Sequence, residues 1–122
     1  MLYALLIYED ETVYGPNKEG PAMDAIRPRH IAMVRELGAK RIGGSGLKSV
    51  KLATTIRTDN GRQTVHDGPF AETKEQLGGF YLVDVADLDE ALAIARRVPL
   101  TADGAIEVRP VIPPPPGGYE AQ

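Results

Sequence analysis

The first strand pattern of the chain, at residues 2–9, most constrains what the chain can fold into. Successive side chains of an extended chain point to opposite faces. One set of these side chains consists of Tyr3, Leu5 and Ile7, and the other consists of Leu2, Ala4, Leu6 and Tyr8. Because both sets are apolar, the strand is expected to be buried on both faces. We therefore predict a sheet that is covered on both sides.

The next regular pattern predicts a helix that carries a histidine on its apolar side. At about 100° per residue, one stripe collects Ile26, His30, Met33, Val34 and Leu37. The regular part of the helix is predicted to begin at Pro28, because proline suits a first turn better than an interior, and the stretch before it can form a separate turn of helix. It is predicted to end near residue 37, where Gly38 can serve as a C-cap.

Glycines mark two strand features in the middle of the chain. The run of three glycines and a serine at residues 43–46 predicts a bent or bulged strand within residues 41–49. Asn60-Gly61 separates strand-like residues 52–57 from residues 62–66. This dipeptide predicts a tight hairpin, since both of its residues must adopt positive φ.

The second half of the chain repeats the strand and helix pattern. A strand at residues 79–85 precedes a helix at residues 88–97, for which Asp87 is the N-cap, and a last strand follows at residues 105–111. This order predicts the α+β ferredoxin-like split βαβ fold, an antiparallel sheet with two helices on one face. A second copy of the chain is expected to cover the open face, giving a homodimer. The alternative is a monomer in which one face of the sheet is partly exposed to solvent.

Composition limits the domain count and the kinds of site. Its 122 residues suit one domain, predicted at residues 1–112, with a Pro- and Gly-rich tail at residues 113–122. The chain has no cysteine, which excludes a disulfide scaffold, a thiolate zinc site and an iron–sulfur cluster. The histidines and carboxylates show no metal-binding spacing, so no metal and no cofactor is predicted.

Charge and hydropathy bear on partners and location. The formal net charge is −3 and no block of Lys or Arg is present. Nucleic-acid binding is therefore not expected, because it requires a basic footprint. The apolar runs are too short for a membrane helix. The first residues lack the pattern of a signal peptide, and a cytoplasmic protein is expected.

Two segments are candidates for acid–base chemistry. His30 either faces a pocket, where its imidazole can exchange a proton near neutral pH, or is a core histidine satisfied by a backbone carbonyl. Residues 66–70 either place Asp67 at the mouth of a pocket with Phe70 as its wall, or form a turn built by glycine and proline. A pair of Asp67 with His30 would favour the imidazolium.

Further charged residues are candidates for binding an anion. Lys74 follows the turn and either neutralises a ligand or belongs to a solvated run. Glu107 and Arg109 share one face of the last strand, which we expect to be the face turned away from the helices. They are expected to form a salt bridge there, and the alternative is that Arg109 anchors a carboxylate.

Three stretches of the sequence resemble the DGPF-type, YCII-related proteins, and one of them is the start at residues 5–8. The signature-like stretch is Asp67-Gly68-Pro69-Phe70-Ala71-Glu72-Thr73-Lys74-Glu75, and residues 104–110 are also similar to theirs. The resemblance implies a dimeric ferredoxin-like α/β barrel, a fold shared with muconolactone-isomerase-like enzymes. It also implies a regulatory link, since some relatives are encoded with extracytoplasmic-function sigma factors.

The resemblance also implies site residues. An Arg-x-x-His on the first helix of the wider group is similar to residues 27–30, which points to Arg27 as a substrate contact and to His30 in a histidine–aspartate catalytic pair. The Asp-Pro that follows the second helix in that group is Val98-Pro99 here. Asp67 is therefore the expected substitute for the missing aspartate.

Two functions remain open from the sequence. In the first, the protein binds a small polar or anionic molecule near the DGPF loop and acts on it through His30 and Asp67, with Phe70, Lys74 and Arg109 contacting the substrate. In the second, it is a non-catalytic dimeric regulatory or sensor module that responds to a metabolite or contacts a sigma factor. The sequence fixes neither a reaction class nor a ligand.

Overall fold

The structure, a computed structural model, describes residues 1–118. The part of the expected tail that follows, residues 119–122, lies outside the described residues. The six strands are β1 (Leu2–Glu9), β2 (Arg41–Gly46), β3 (Thr54–Asp59), β4 (Arg62–Asp67), β5 (Gln76–Asp84) and β6 (Gly104–Pro110). The two α-helices are α1 (Pro21–Leu37) and α2 (Leu88–Ala95), and short 3₁₀ turns fill the connection from β1 to α1.

Four strands form one sheet in the order β2-β5-β1-β6, and all three neighbouring pairs are antiparallel. With a helix after β1 and another after β5, this arrangement is α+β and is consistent with the ferredoxin-like fold. The central position of β1 agrees with its apolar pattern. The shift in register between Arg41 and Gly43 confirms the bulge predicted for β2.

Both helices pack on one face of this sheet. The shared core contains Tyr3, Leu5 and Ile7 of β1, Tyr81 and Val83 of β5, Met33 and Leu37 of α1, and Ala91, Ile94 and Ala95 of α2. Leu5 and Val83 are fully buried, and burying an aliphatic side chain of this size contributes about 1.5–3 kcal/mol. The apolar stripe predicted for α1 therefore does face the sheet.

The opposite face of the sheet carries the other set of side chains. Leu6 pairs with Phe80 on one side and with Glu107 on the other, and Ala4 pairs in the same way with Leu82 and Arg109. The apolar members of these rows are only partly buried. Ile106 and Val108 pack against the core on the helix side, so the predicted division of β6 is confirmed.

The helix α1 begins earlier than the sequence predicted. It starts at Pro21, and Pro28 lies in its interior. Proline there removes one helix hydrogen bond, but Pro28 is exposed, so the carbonyl that loses its partner can turn toward water. The prediction that the helix begins at Pro28 was wrong because the chain supplies a better first turn with Pro21.

The hairpin of β3 and β4 forms a separate two-stranded ribbon. Its turn residues have positive φ, 50° at Asn60 and 78° at Gly61, as predicted. The ribbon exposes two paired apolar residues, Ile56 and Val65, which are 63% and 67% accessible. Within residues 1–118, no helix is long and apolar enough to cross a membrane.

Candidate functional site

A cavity of about 860 Å³ lies on the helix side of the sheet. Its walls come from α1, from β2 and the residues that follow it, from β5, and from the 3₁₀ segment at residues 14–19. A cavity of this size is within the range of about 300–1,000 Å³ that is usual for small-molecule sites. The cavity contains the one histidine that the sequence placed on a buried stripe.

His30 and Tyr81 form the central contact of this cavity. His30 Nδ1 lies 2.6 Å from the hydroxyl oxygen of Tyr81, and the two rings are stacked with centroids 6.0 Å apart. The residues meet because His30 is one turn after the buried Ile26 on α1, while Tyr81 belongs to the core face of β5. The packing of α1 against β5 therefore brings the two side chains together.

The environment sets the protonation of this pair. Burial lowers the pKa of His30 below its ordinary value of 6.5, although the charge of Glu9 and the carbonyl of Pro99 act in the opposite direction. Burial also raises the pKa of Tyr81 above 10, against the influence of Arg41. At neutral pH the site therefore holds a neutral imidazole beside a protonated phenol, and the phenol can donate to Nδ1.

Glu9 is a buried carboxylate in the same cavity wall. It is only 8% accessible, it accepts a 2.7 Å hydrogen bond from the Tyr14 hydroxyl, and the Thr101 backbone N–H lies 3.4 Å from the same oxygen. Burial and the hydrogen bond to Glu9 raise the pKa of Tyr14 to about 12. A buried carboxylate is costly unless donors satisfy it, and Tyr14 is the shorter of the two contacts.

The cavity is cationic although the chain as a whole is acidic. Five cationic side chains line it, namely Lys18, Arg27, Arg35, Arg41 and Lys48, against two carboxylates, Glu9 and Glu19. The formal net charge of the chain is −3. A concave surface with one sign of charge concentrates ions of the opposite sign, so this cavity favours an anion.

Two of these cations are held by backbone carbonyls. Arg41 Nη2 donates to the carbonyl of Gly44 at 2.8 Å, and Lys18 Nζ donates to that of Leu47 at 2.8 Å. Lys18 also follows Asn17 in a left-handed conformation, with φ of 57° and 59° respectively. Left-handed backbone is unfavourable for residues other than glycine, and here it directs Lys18 across the cavity to the residues that follow β2.

Only two of the site residues predicted from the sequence line this cavity. They are His30 and Arg27, and Arg27 also lies 3.8 Å from Asp24. Asp67 is an exposed residue at the end of β4, and Phe70 is 73% accessible beneath the guanidinium of Arg57. Neither belongs to the cavity wall. Because Asp67 lies outside the cavity that contains His30, the expected His30–Asp67 pair is not formed within the chain, and His30 Nδ1 contacts Tyr81 instead.

The other two predicted residues lie on the opposite side of the sheet. Lys74 borders a shallow groove together with Tyr8 and Glu107. Arg109 donates to Glu107 at 2.6 Å, and this hydrogen bond, together with the charge of Glu107, raises the pKa of Arg109. The salt bridge expected for this pair is present, and residues 73–75, which follow the DGPF residues, line the groove on the open face.

Polar residues at the centre of the cavity that were not predicted from the sequence include Glu9, Tyr14, Arg41 and Tyr81. Two of them had a usable signal. Glu9 continues the odd-numbered set of β1, and Tyr81 is a polar-tipped residue in the buried set of β5. For Tyr14 and Arg41 no local pattern indicated burial, because their positions depend on how β2 and the 3₁₀ segment fold back on the sheet. Among residues 1–118, no three His, Asp or Glu side chains are grouped to hold a metal ion.

The fold and the cavity together define an α+β protein with a half-buried histidine in a cationic, small-molecule-sized cavity. Comparison with known proteins gives the family. The model of the YCII-related domain matches residues 1–114. A protein of Rhizobium meliloti (strain 1021), described as uncharacterized, is 41% identical over 120 residues, which cover 96% of this chain and 97% of that protein. The chain therefore belongs to the YCII-related family.

Proposed function

We propose that this protein binds a small polar or anionic molecule in the cavity and that His30 transfers a proton to or from it. The observation that carries the proposal is the 2.6 Å contact between His30 Nδ1 and the Tyr81 hydroxyl at the cavity wall. The five cationic side chains around it supply the attraction for an anion. The proposal moves the expected site from the DGPF loop to the cavity between α1 and the sheet.

The protonation of the pair suits this role. A neutral imidazole at pH 7 is a general base, and the protonated phenol beside it is a potential acid. When Nδ1 accepts from Tyr81, the ring proton of the neutral imidazole is on Nε2. A proton taken from the ligand therefore goes to the Tyr81 oxygen while the Tyr81 hydroxyl gives its own proton to Nδ1. Glu9, at the same wall, favours the imidazolium that forms when His30 takes a proton.

We also propose that the protein is a homodimer through the open face of the sheet, as a dimeric α/β barrel. Leu6, Phe80 and Leu82 form a partly exposed apolar surface on that face. A contiguous apolar surface of this kind marks an interaction site. A second copy of the chain, related by a two-fold axis, would present the same surface to it.

The alternative is a non-catalytic regulatory or sensor module, including the sigma-factor link that the family resemblance implies. One observation favours a protein partner: Ile56 and Val65 of the β3–β4 ribbon, and Phe70 in the loop that follows it, are each more than 60% accessible. Such a module would bind its ligand in the same cavity without turnover.

A ligand screen by thermal denaturation tests the proposal and separates it from the alternative. Compounds that raise the melting temperature are incubated with the wild-type protein, with His30→Gln and with the matched control His66→Gln, and products are sought by NMR. A compound at 100 times its Kd stabilises by about 2.7 kcal/mol. Turnover lost only in His30→Gln supports an enzyme. Binding without turnover in the wild type supports the sensor. Binding and turnover that His30→Gln both leaves unchanged would contradict a role for His30.

A further inference from the structure

The cavity presents exposed apolar side chains beside its cations. Ile31 of α1 is 46% accessible, and Leu47 and Leu52, which follow β2, are 40% and 65% accessible. All three line the cavity, together with the less exposed Met23, Ile26 and Val34. Apolar surface in contact with water is covered favourably by an apolar ligand, at about 25 cal/mol per Å². A small inorganic anion would leave this part of the wall uncovered.

Arg41 supplies the most specific donor among the cations. Its Nη2 donates to the carbonyl of Gly44, whereas its Nε is buried and has no hydrogen-bond partner within the described residues. A buried cationic N–H without an acceptor is costly. Nε is closed off from the cavity, but the guanidinium has further N–H donors on its two Nη atoms, and a carboxylate can engage two of these through parallel hydrogen bonds.

Arg41 is also close to the reacting pair. It lines the same cavity as His30 and Tyr81, and its charge acts on the Tyr81 phenol. In the sheet, Gly44 pairs with Tyr81, so the carbonyl that holds Arg41 is directly beside the residue that holds His30. An anionic group bound by Arg41 therefore lies at the same end of the cavity as the histidine.

From these observations we propose that the ligand is an amphipathic carboxylic acid. Its carboxylate binds Arg41 beside Tyr81, and its apolar body covers the wall formed by Ile31, Leu47 and Leu52. This inference rests on the proposed function and names the ligand class of the same site. It also identifies Arg41, a residue with no role in the sequence-based prediction, as the residue that selects a carboxylate.

Amide chemical-shift perturbation of the ¹⁵N-labelled protein tests the inference with probes that separate charge from apolar body. The probes are 3-phenylpropionate, 3-phenylpropanol, acetate and inorganic phosphate. We expect 3-phenylpropionate to shift residues 44–47 and 78–81 saturably, with at least ten-fold tighter binding than each of the other three. Equal binding of the alcohol overturns the carboxylate, and equal binding of acetate overturns the apolar body.

The remaining outcomes separate this inference from the proposed function. If phosphate binds these residues best, the cavity still binds an anion, but the ligand class is wrong. If no probe at saturating concentration perturbs the cavity, both proposals are contradicted. The probe comparison uses the wild-type protein alone, so it does not depend on whether a variant folds.

Variants then locate the carboxylate. Arg41→Gln should weaken 3-phenylpropionate at least ten-fold, and Arg41→Lys should recover only part of the loss because an ammonium lacks the two-pronged geometry. Arg62→Gln, an exposed arginine of the β3–β4 ribbon, removes the same charge outside the cavity and should change nothing. Equal weakening by Arg41→Gln and Arg62→Gln would overturn the assignment of Arg41.

Discussion

The imidazole of His30 and the phenol of Tyr81 meet 2.6 Å apart, although the two residues are separated by 51 positions in the chain. The contact joins the buried stripe of α1 to the core face of β5. It places the only half-buried histidine within a cationic cavity, because the other histidine, His66, is exposed on the β3–β4 ribbon.

The first prediction concerns pH and His30. Burial lowers the pKa of His30 in the folded protein below 6.5, so the unfolded chain binds the proton more tightly. The contribution of this group to stability is therefore fully present above pH 6.5 and is lost as the pH falls through the lower, folded pKa. The free energy of unfolding, measured with urea between pH 8 and pH 5, should fall less steeply in His30→Gln than in the wild type.

His66→Gln is the matched control, because it removes an exposed imidazole and should reproduce the wild-type slope. The titration of Asp10 does not affect the stability measured above pH 5, because hydrogen bonds from Thr12 hold the pKa of Asp10 below 3.8. A wild-type protein that becomes more stable between pH 8 and pH 5, relative to His30→Gln, would contradict a lowered pKa.

The second prediction concerns the buried carboxylate of Glu9. Tyr14→Phe removes its 2.7 Å hydrogen bond without removing the ring, which leaves the carboxylate less well satisfied. We expect a loss of about 1–3 kcal/mol in the free energy of unfolding. Tyr8→Phe serves as control, because the Tyr8 hydroxyl makes only a 3.4 Å contact with Glu107 on the open face. Equal losses in the two variants would argue against a special role for the Glu9 contact.

The third prediction concerns Gly44, which forms the sheet edge beneath the cavity. Its φ is +141°, and an added Cβ would lie 2.5 Å from the carbonyl oxygen of Phe80. Gly44→Ala should therefore destabilise the protein by more than about 2 kcal/mol, from strain and overlap together. Gly46→Ala, two residues further along β2, adds a Cβ with no neighbour within 4 Å. Urea denaturation should separate the two variants, and similar stabilities would contradict the register of β2 with β5.

The fourth prediction concerns the open face of the sheet. Sedimentation should give the wild type twice its monomer mass of 13.2 kDa. Leu6→Glu places a charge at the centre of the apolar rows and should yield a monomer, because a desolvated charge opposes association. Ala93→Glu, on the exposed side of α2, should remain dimeric. A monomeric wild type, or a Leu6→Glu variant that stays dimeric, would exclude this interface.

The sequence was informative where a pattern is local. The alternation at β1, the Asn60-Gly61 turn and the stripe that carries His30 all correspond to elements of the structure. The sequence was misleading where one local rule competed with another, as at Pro28, which is accommodated within α1 because the helix starts at Pro21.

The partners of His30 could not be derived in the same way. Tyr81 reaches His30 only because β5 lies between β1 and β2 in the sheet, and this order is not contained in any local pattern. The density of unusual residues at 66–70 drew attention to Asp67, whereas the structure places that residue on an exposed ribbon. Glu9, in contrast, could have been predicted. It continues the odd-numbered, buried set of side chains in β1, so its carboxylate is expected to be buried once the sheet is recognised.

The most direct test of the account is to map where a bound ligand contacts the protein. The compound that raises the melting temperature most is titrated into ¹⁵N-labelled protein, and perturbations of backbone amides and of the histidine imidazoles are recorded. The account predicts shifts at residues 44–47, at residues 78–81 and at the His30 ring, with His66 unchanged. Shifts confined to residues 66–70, with His30 unaffected, would contradict the assignment of the site to the cavity.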